Sequence, residues 1–235
     1  MDPSSIPEEK SEKKKRHIGL WILLVIVILI VLFFGWTGIY NIPLLTNLMG
    51  TNEPIDLGVE VSEEALASAM VNNPMDLQGS ATEYSGVAKK IFTGEVPIDG
   101  ENTSEELTSF LQHYTQNAPH VRDLQVKYIE GGMEISTFVK TRINAPVYVR
   151  VGVTKTGAKS VDIDLQSAKV GRLPIPSNYY DQIEEIAEEI INDRIASIES
   201  FSIDTLEYHD GYAYFKGSMP ETVEVVSGEE NGLLD

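Results

Sequence analysis

Leu124-Gln125-Val126-Lys127-Tyr128 alternates apolar and polar side chains, and beyond Glu130-Gly131-Gly132 the residues Met133, Ile135, Thr137 and Val139 resume the same period of two. Successive side chains of a strand point to opposite faces, so each run has one apolar and one wet face, and the glycines between them mark a hairpin turn. The alternation then repeats. Val147, Val149, Val151 and Val153 lead to Thr156-Gly157 as a turn, and Val161, Ile163 and Leu165 return between Ser160, Asp162, Asp164 and Gln166. Four such strands make an antiparallel meander whose apolar face must be covered.

Helical periodicity flanks the meander on both sides. Downstream, after Pro176, Ser177 is placed to cap a helix to about Ser197. In it Ile183, Ile186, Ala187, Ile190, Ile191, Ile195 and Ile198 face one way, towards the sheet, and Glu184, Glu185, Glu188, Glu189 and Asp193 the other. Upstream, Thr103 and Glu106 form a Thr-x-x-Glu capping box, and Leu107, Phe110, Leu111 and Tyr114 follow at i, i+3, i+4 and i+7 on the expected core face of a helix to about Gln116. A first strand is expected over Ile91, Phe92, Val96 and Ile98, ended by Pro97-Ile98-Asp99-Gly100. A closing hairpin runs from Phe201, Ile203, Leu206 and Tyr208 through His209-Asp210-Gly211 to Tyr212, Tyr214 and Phe215. These elements define an α+β domain over residues 87–220, a curved, mostly antiparallel sheet packed on one long and one shorter helix. Residues 221–235 are expected to be a disordered tail.

Towards the N-terminus the character changes. Ile18 to Trp36 carries no charge, and roughly 20 apolar residues are enough to cross a bilayer as one helix. Trp21, Trp36 and Tyr40 suit the two headgroup levels. Lys10, Lys13, Lys14, Lys15 and Arg16 place residues 1–17 in the cytoplasm by the positive-inside rule. The apolar run exceeds the h-region of a cleavable signal, and no Ala-x-Ala-like site follows it. The expectation is therefore a cytoplasmic tail (1–17), a single membrane anchor (18–40), a stalk (41–86) and an extracytoplasmic body at the cell membrane. Within the stalk, Ser62 is expected to cap a short helix beginning at Glu63 and Glu64.

Composition narrows the chemistry. The formal net charge of the 235 residues is −18, and beyond residue 17 there are 32 carboxylates against 13 Lys and Arg. Such a surface repels nucleic acid and anionic headgroups, which argues against nucleic-acid binding and against electrostatic adhesion to a membrane. There is no cysteine, which excludes disulfide scaffolds, zinc–thiolate sites and thiol catalysis. The four histidines, His17, His113, His120 and His209, have no metal-ligand spacing. No nucleophile elbow, phosphate loop or dinucleotide fingerprint is present, so no catalytic residue, metal or cofactor is expected. The one carboxylate row at helical spacing, Asp181, Glu184, Glu185 and Glu188, reads as a solvated face before it reads as a metal or acid–base site.

Val170-Gly171-Arg172-Leu173-Pro174-Ile175-Pro176 stands between a strand and the long helix. With Ser104-Glu105-Glu106-Leu107 and Tyr214-Phe215-Lys216-Gly217-Ser218-Met219-Pro220, it resembles the YpmS-like single-pass proteins of bacteria and, more loosely, LmeA-like and TULIP-type lipid-binding domains. The resemblance covers residues 87–220. It implies a long helix wrapped by a curved sheet with an apolar groove between them. Leu107, Phe110, Leu111, Val149, Val151, Ile183, Ile190 and Phe201 would line that groove, or would simply fill a core. Two functions follow: a membrane-anchored, non-catalytic module for a lipid or other apolar ligand, or an envelope assembly factor that docks a protein partner.

Overall fold

The computed structural model describes residues 24–33, 51–72, 76–78, 89–116, 118–141 and 143–226. In chain order the body comprises α1 (Glu63–Asn72), β1 (Asp76–Gln78), β2 (Lys89–Thr93), β3 (Val96–Thr103), α2 (Ser104–Thr115), β4 (Val121–Ile129), β5 (Gly132–Val139), β6 (Ala145–Gly157), β7 (Ser160–Val170) and β8 (Leu173–Pro174). A 3₁₀ turn at Ser177–Tyr179 then leads into α3 (Tyr180–Ala196), β9 (Ser202–His209), β10 (Tyr212–Met219) and β11 (Thr222–Val226). The fold is α+β and mostly antiparallel, as the periodicities require, but the strands divide among three sheets: β4-β5-β6-β7-β8, β3-β10-β9 and β1-β11-β2.

The meander forms in the expected order. Gly131 turns the first hairpin at φ +75°, a left-handed conformation that glycine adopts without steric cost. The second turn falls at residues 158–159, two residues later than Thr156-Gly157, because Gly157 still pairs with Ser160. Cross-strand register puts Val126, Ile135 and Val149 in one row and Tyr128, Met133, Val151 and Leu165 in the next, so the valines of β6 do share one apolar face with their neighbours.

The long edges of this sheet, β4 and β7, are each closed by a helix rather than by another full strand. Ser104 Oγ accepts from Tyr128 N at 2.9 Å, Thr108 Oγ1 both accepts from Val126 N and donates to Val126 O, and Gln112 Nε2 donates to Leu124 O. On the other edge Tyr180 Oη accepts from Ala168 N, Glu184 Oε1 from Leu165 N at 2.7 Å and Glu188 Oε1 from Ile163 N at 2.8 Å, while Asn192 exchanges two bonds with Val161. Four residues of helix advance about 6 Å and two residues of strand about 6.7 Å, so polar side chains at i, i+4 and i+8 meet successive outward-facing backbone groups.

This arrangement rotates both helices from the orientation expected from periodicity, although Ile183 and Ala187 stay half-buried and Glu185, Glu189 and Asp193 exposed as expected. On α2 the buried residues are Ser104, Glu106, Thr108 and Ser109, while Leu107, Phe110, Leu111 and Tyr114 are only half-buried. On α3 no residue is fully buried; Ile186, Ile190 and Ile191 are 49%, 56% and 39% exposed, and Glu184 and Glu188 point to the sheet. Ser177 does not cap α3, whose N-cap is Tyr179 without a side-chain bond. The capping box of α2 is present as read, with Thr103 Oγ1 accepting from Glu106 N and Glu106 Oε2 accepting from Thr103 N.

The expected first strand is two strands in different sheets. Gly94, at φ +72°, separates β2 from β3, and β3 runs through Pro97-Ile98-Asp99-Gly100 instead of ending there, pairing with β10 along its length. The hairpin β9–β10 forms as read. Its strand β9 lies across the turn end of the meander: Ile203 N donates to Ala158 O, Gly131 N to Tyr208 O and Gly211 N to Tyr128 O.

The ends of the body lie outside 87–220. Thr51, Leu57 and Val59 are buried, Leu57 N donates to Gln125 Oε1, and Arg122 Nη2 donates to Asn52 O, so residues 51–60 form a strap on the meander sheet. The helix α1 has its Ser62 cap, with Ala65 N donating to Ser62 Oγ, and it packs on α2: Ser62 N donates to Ser109 Oγ and Asn72 Nδ2 to Glu106 Oε1. Residues 222–226, expected in a disordered tail, are strand β11 between β1 and β2, with Val223 buried. Residues 227–235 lie outside the described residues, as do 1–23 and 34–50. Residues 24–33 are α-helical; among the described residues no helix is long and apolar enough to cross a membrane.

Two outcomes test this architecture. A chain beginning at residue 86 loses the burial of Leu57 and Val59 and is expected to be less stable in urea by about 3–6 kcal/mol, at about 1.5–3 kcal/mol per buried side chain. Replacing Glu184 by Ala leaves Leu165 N–H without its acceptor and is expected to cost about 1–3 kcal/mol, whereas Glu184→Gln keeps an acceptor oxygen and is close to neutral; equal effects of the two in chemical denaturation would refute the edge-cap role.

Candidate functional site

Sheet β3-β10-β9 turns one face to α2, and its register decides which residues that face carries. Ala213 pairs with Tyr208 and Asn102, Phe215 with Leu206 and Gly100, and Gly217 with Ile203 and Ile98, so these side chains share one side of the sheet. Opposite them stand Leu107 and Phe110 of α2, Ala69 of α1 and Tyr128 of β4, and the space between is a cleft of about 600 Å³. That volume lies inside the roughly 300–1,000 Å³ typical of small-molecule sites. Its wall is apolar at Ile98, Leu107, Phe110, Leu206, Phe215 and Met219, and exposed polar residues Asn72, Asp99 and Glu101 stand at its rim.

Tyr128 joins this cleft to the meander. Its ring belongs to the apolar face that carries Met133, Val151 and Leu165, and it meets the Tyr208 ring at a centroid distance of 5.8 Å. Burial pushes both phenols up, Tyr208 to about 12 and Tyr128 further, so both are neutral hydrogen-bonding groups at physiological pH. Tyr128 Oη donates to Asn102 Oδ1 at 3.4 Å. On the opposite face of this sheet, the Asp99 side chain is engaged by Tyr214 Oη at 2.6 Å and Lys216 Nζ at 2.9 Å, and those two partners hold its carboxyl below the usual carboxylate range.

Of the eight residues expected at a groove, Leu107 and Phe110 line the cleft, and the Phe201 ring lies 5.9 Å from that of Phe215, which lines it too. Leu111 is half-buried one turn further along α2. Val149 and Val151 are half-buried on the apolar face of β6, outside the cleft; Ile183 is half-buried and Ile190 exposed on α3. The implied long helix wrapped by a curved sheet is not observed, since α3 lies along the β7 edge. Sequence reasoning missed Ile98, Tyr128, Leu206, Tyr208, Ala213 and Met219 as cleft residues. Their alternation was visible, but which α-helix that face would meet was not.

The carboxylate row is spent structurally. Glu184 and Glu188 accept from the β7 backbone, Glu185 is exposed, and among the described residues no group of three His, Cys, Asp or Glu is placed to hold a metal ion. No protein-family model matches the sequence, and no curated protein matches it.

The buried phenols give the site a pH signature. Their folded-state pKa values lie above the unfolded value of about 10, so their contribution to stability is complete below pH 10 and is lost as pH rises through about 12. Phenolate absorbance is expected to show at least three tyrosines titrating late, Tyr128, Tyr208 and Tyr148, the last raised by burial and by its bond to Glu134, and Tyr208→Phe to leave one fewer; ordinary titration of all ten tyrosines would contradict their burial.

Proposed function

We propose that the protein is a membrane-anchored, non-catalytic module that holds a lipid or other apolar ligand outside the cytoplasm. The observation that carries the ligand reading is the cleft of about 600 Å³ walled by Leu107, Phe110, Leu206, Phe215 and Met219. Apolar walls with a few convergent polar groups at one side suit a ligand with an alkyl body and a polar end. Neutral Tyr128, Tyr208 and Asn102 supply hydrogen bonds for that end.

The anchor reading rests on residues 18–36 and their cationic flank, and is supported by the described part of that stretch. Residues 24–33 are helical and their ten apolar side chains are each 39–59% exposed, so no face of this helix is buried in the body. A water-soluble surface helix normally keeps an apolar stripe inward and a polar face outward. An assembly role has one observation of its own, the exposed Ile186, Ile190 and Ile191 on α3, which a protein partner would cover.

The test is organic extraction of the full chain, purified without added lipid, followed by mass spectrometry, alongside Phe110→Asp and Phe215→Asp. Retained lipid is expected in the parent, falling roughly tenfold in either variant, because a carboxylate buried in the cleft is strongly disfavoured. Equal retention by a chain cut after residue 50 excludes lipid merely carried by the anchor. An empty parent cleft with a protein captured on α3 would favour assembly instead.

A further inference from the structure

The charge of the body is not spread evenly, and its polarity coincides with the point where the chain enters it. One end of the meander gathers the approach to β4 (118–120), the β5–β6 connection and the β7–β8 turn; Val121 pairs with Val139, Val139 with Ala145 and Val170 with Leu173. Arg122, Lys140, Lys169 and Arg172 sit at this end; Lys140 and Arg172 are exposed, Lys140 Nζ reaches Ala118 O at 3.3 Å and Lys169 Nζ lies 5.3 Å from the Tyr148 ring centre. The carboxylates nearby are Asp123, which Arg122 pairs, Glu53 of the strap and Asp181 at the start of α3. The opposite end carries exposed Glu130, Asp204, Glu207 and Asp210; its two lysines, Lys155 and Lys159, are half-buried, and Lys159 Nζ donates to Ile198 O and Glu199 O. The cationic end also exposes Ile143 (46%) and Tyr179 (52%), beside Pro119, Pro174 and Pro176.

The strap reaches the body at this same end, since Thr51 is buried and Asn52 O is bonded by Arg122. Only the ten residues 41–50 separate it from the end of the apolar stretch at Tyr40, a reach of at most about 35 Å. We infer that the Lys140/Arg172 end, with Ile143 and Tyr179, docks on the anionic headgroup surface of the bilayer that holds residues 18–40, and that the acidic end points away. This rests on the anchor reading above. A tyrosine and an aliphatic tip flanked by Lys and Arg match the headgroup region of an anionic leaflet, and the acidic remainder of the body, repelled by the same surface, fixes the orientation.

The chain has no cysteine, so single labels are possible. The full chain is reconstituted in vesicles of phosphatidylcholine with phosphatidylglycerol, carrying a fluorophore at Ile143→Cys or at Asp210→Cys, and a headgroup-linked nitroxide lipid serves as quencher. Quenching is expected at position 143 and not at 210. It should fall roughly threefold or more in phosphatidylcholine alone, in Lys140→Glu with Arg172→Glu, and in ~1 M salt, where screening shortens to about 3 Å. The salt arm needs no charge substitution, so it stands even where the double variant folds poorly. A chain that does not float with the vesicles overturns the anchor and this inference together. A chain that floats with position 143 no more quenched than 210 overturns the docking alone.

Discussion

The meander depends on how its two long edges are closed. An unpaired strand edge presents a row of N–H and C=O groups that must find water, another strand or side-chain partners. Here two helices satisfy them with side chains alone: Ser104, Thr108 and Gln112 along β4, and Tyr180, Glu184, Glu188 and Asn192 along β7. The near-match between four residues of helix and two of strand makes this repeatable over three turns. Each helix must then turn a polar stripe inward.

That constraint sets where apolar surface remains. Because α2 spends Ser104 and Thr108 on β4, its Leu107 and Phe110 are free to face sheet β3-β10-β9 across a cleft. Because α3 spends Glu184 and Glu188 on β7, Ile186 and Ile190 stay at the surface. The same edge chemistry that stabilises the sheet thus leaves apolar side chains uncovered. A carboxylate row that suggests metal or acid–base chemistry in the linear chain is instead occupied by backbone donors.

Local signals in the sequence were read well. The Thr103–Glu106 capping box, the Ser62 cap, the Gly131 and Gly211 turns and the period-two runs of the meander each depend on interactions within a few residues, and each appears as read. Two local readings failed, the Ser177 cap of α3 and the turn at Thr156-Gly157, which falls at 158–159; the larger errors concern partners distant in the chain. The division of β2 from β3, the strand at 222–226 and the docking of residues 51–72 are decided by pairings across tens to more than a hundred residues, such as Thr222 with both Asp76 and Thr93. Amphipathic periodicity shows that a helix has two faces, and the usual inference buries the apolar one. That inference fails here because backbone groups on a sheet edge gain more from a carboxylate or hydroxyl than from a methyl group.

The sequence by itself determined the α+β class, the order of strands in the meander, the absence of thiol chemistry and the single uncharged run near the N-terminus, since all of these are properties of composition and short-range pattern. Only the tertiary structure decided that Leu107 and Phe110 face Phe215, that Glu184 and Glu188 are structural, and that four cations lie at the end where the chain enters the body. Those facts rest on hydrogen-bond register between segments distant in sequence, and no local periodicity encodes it.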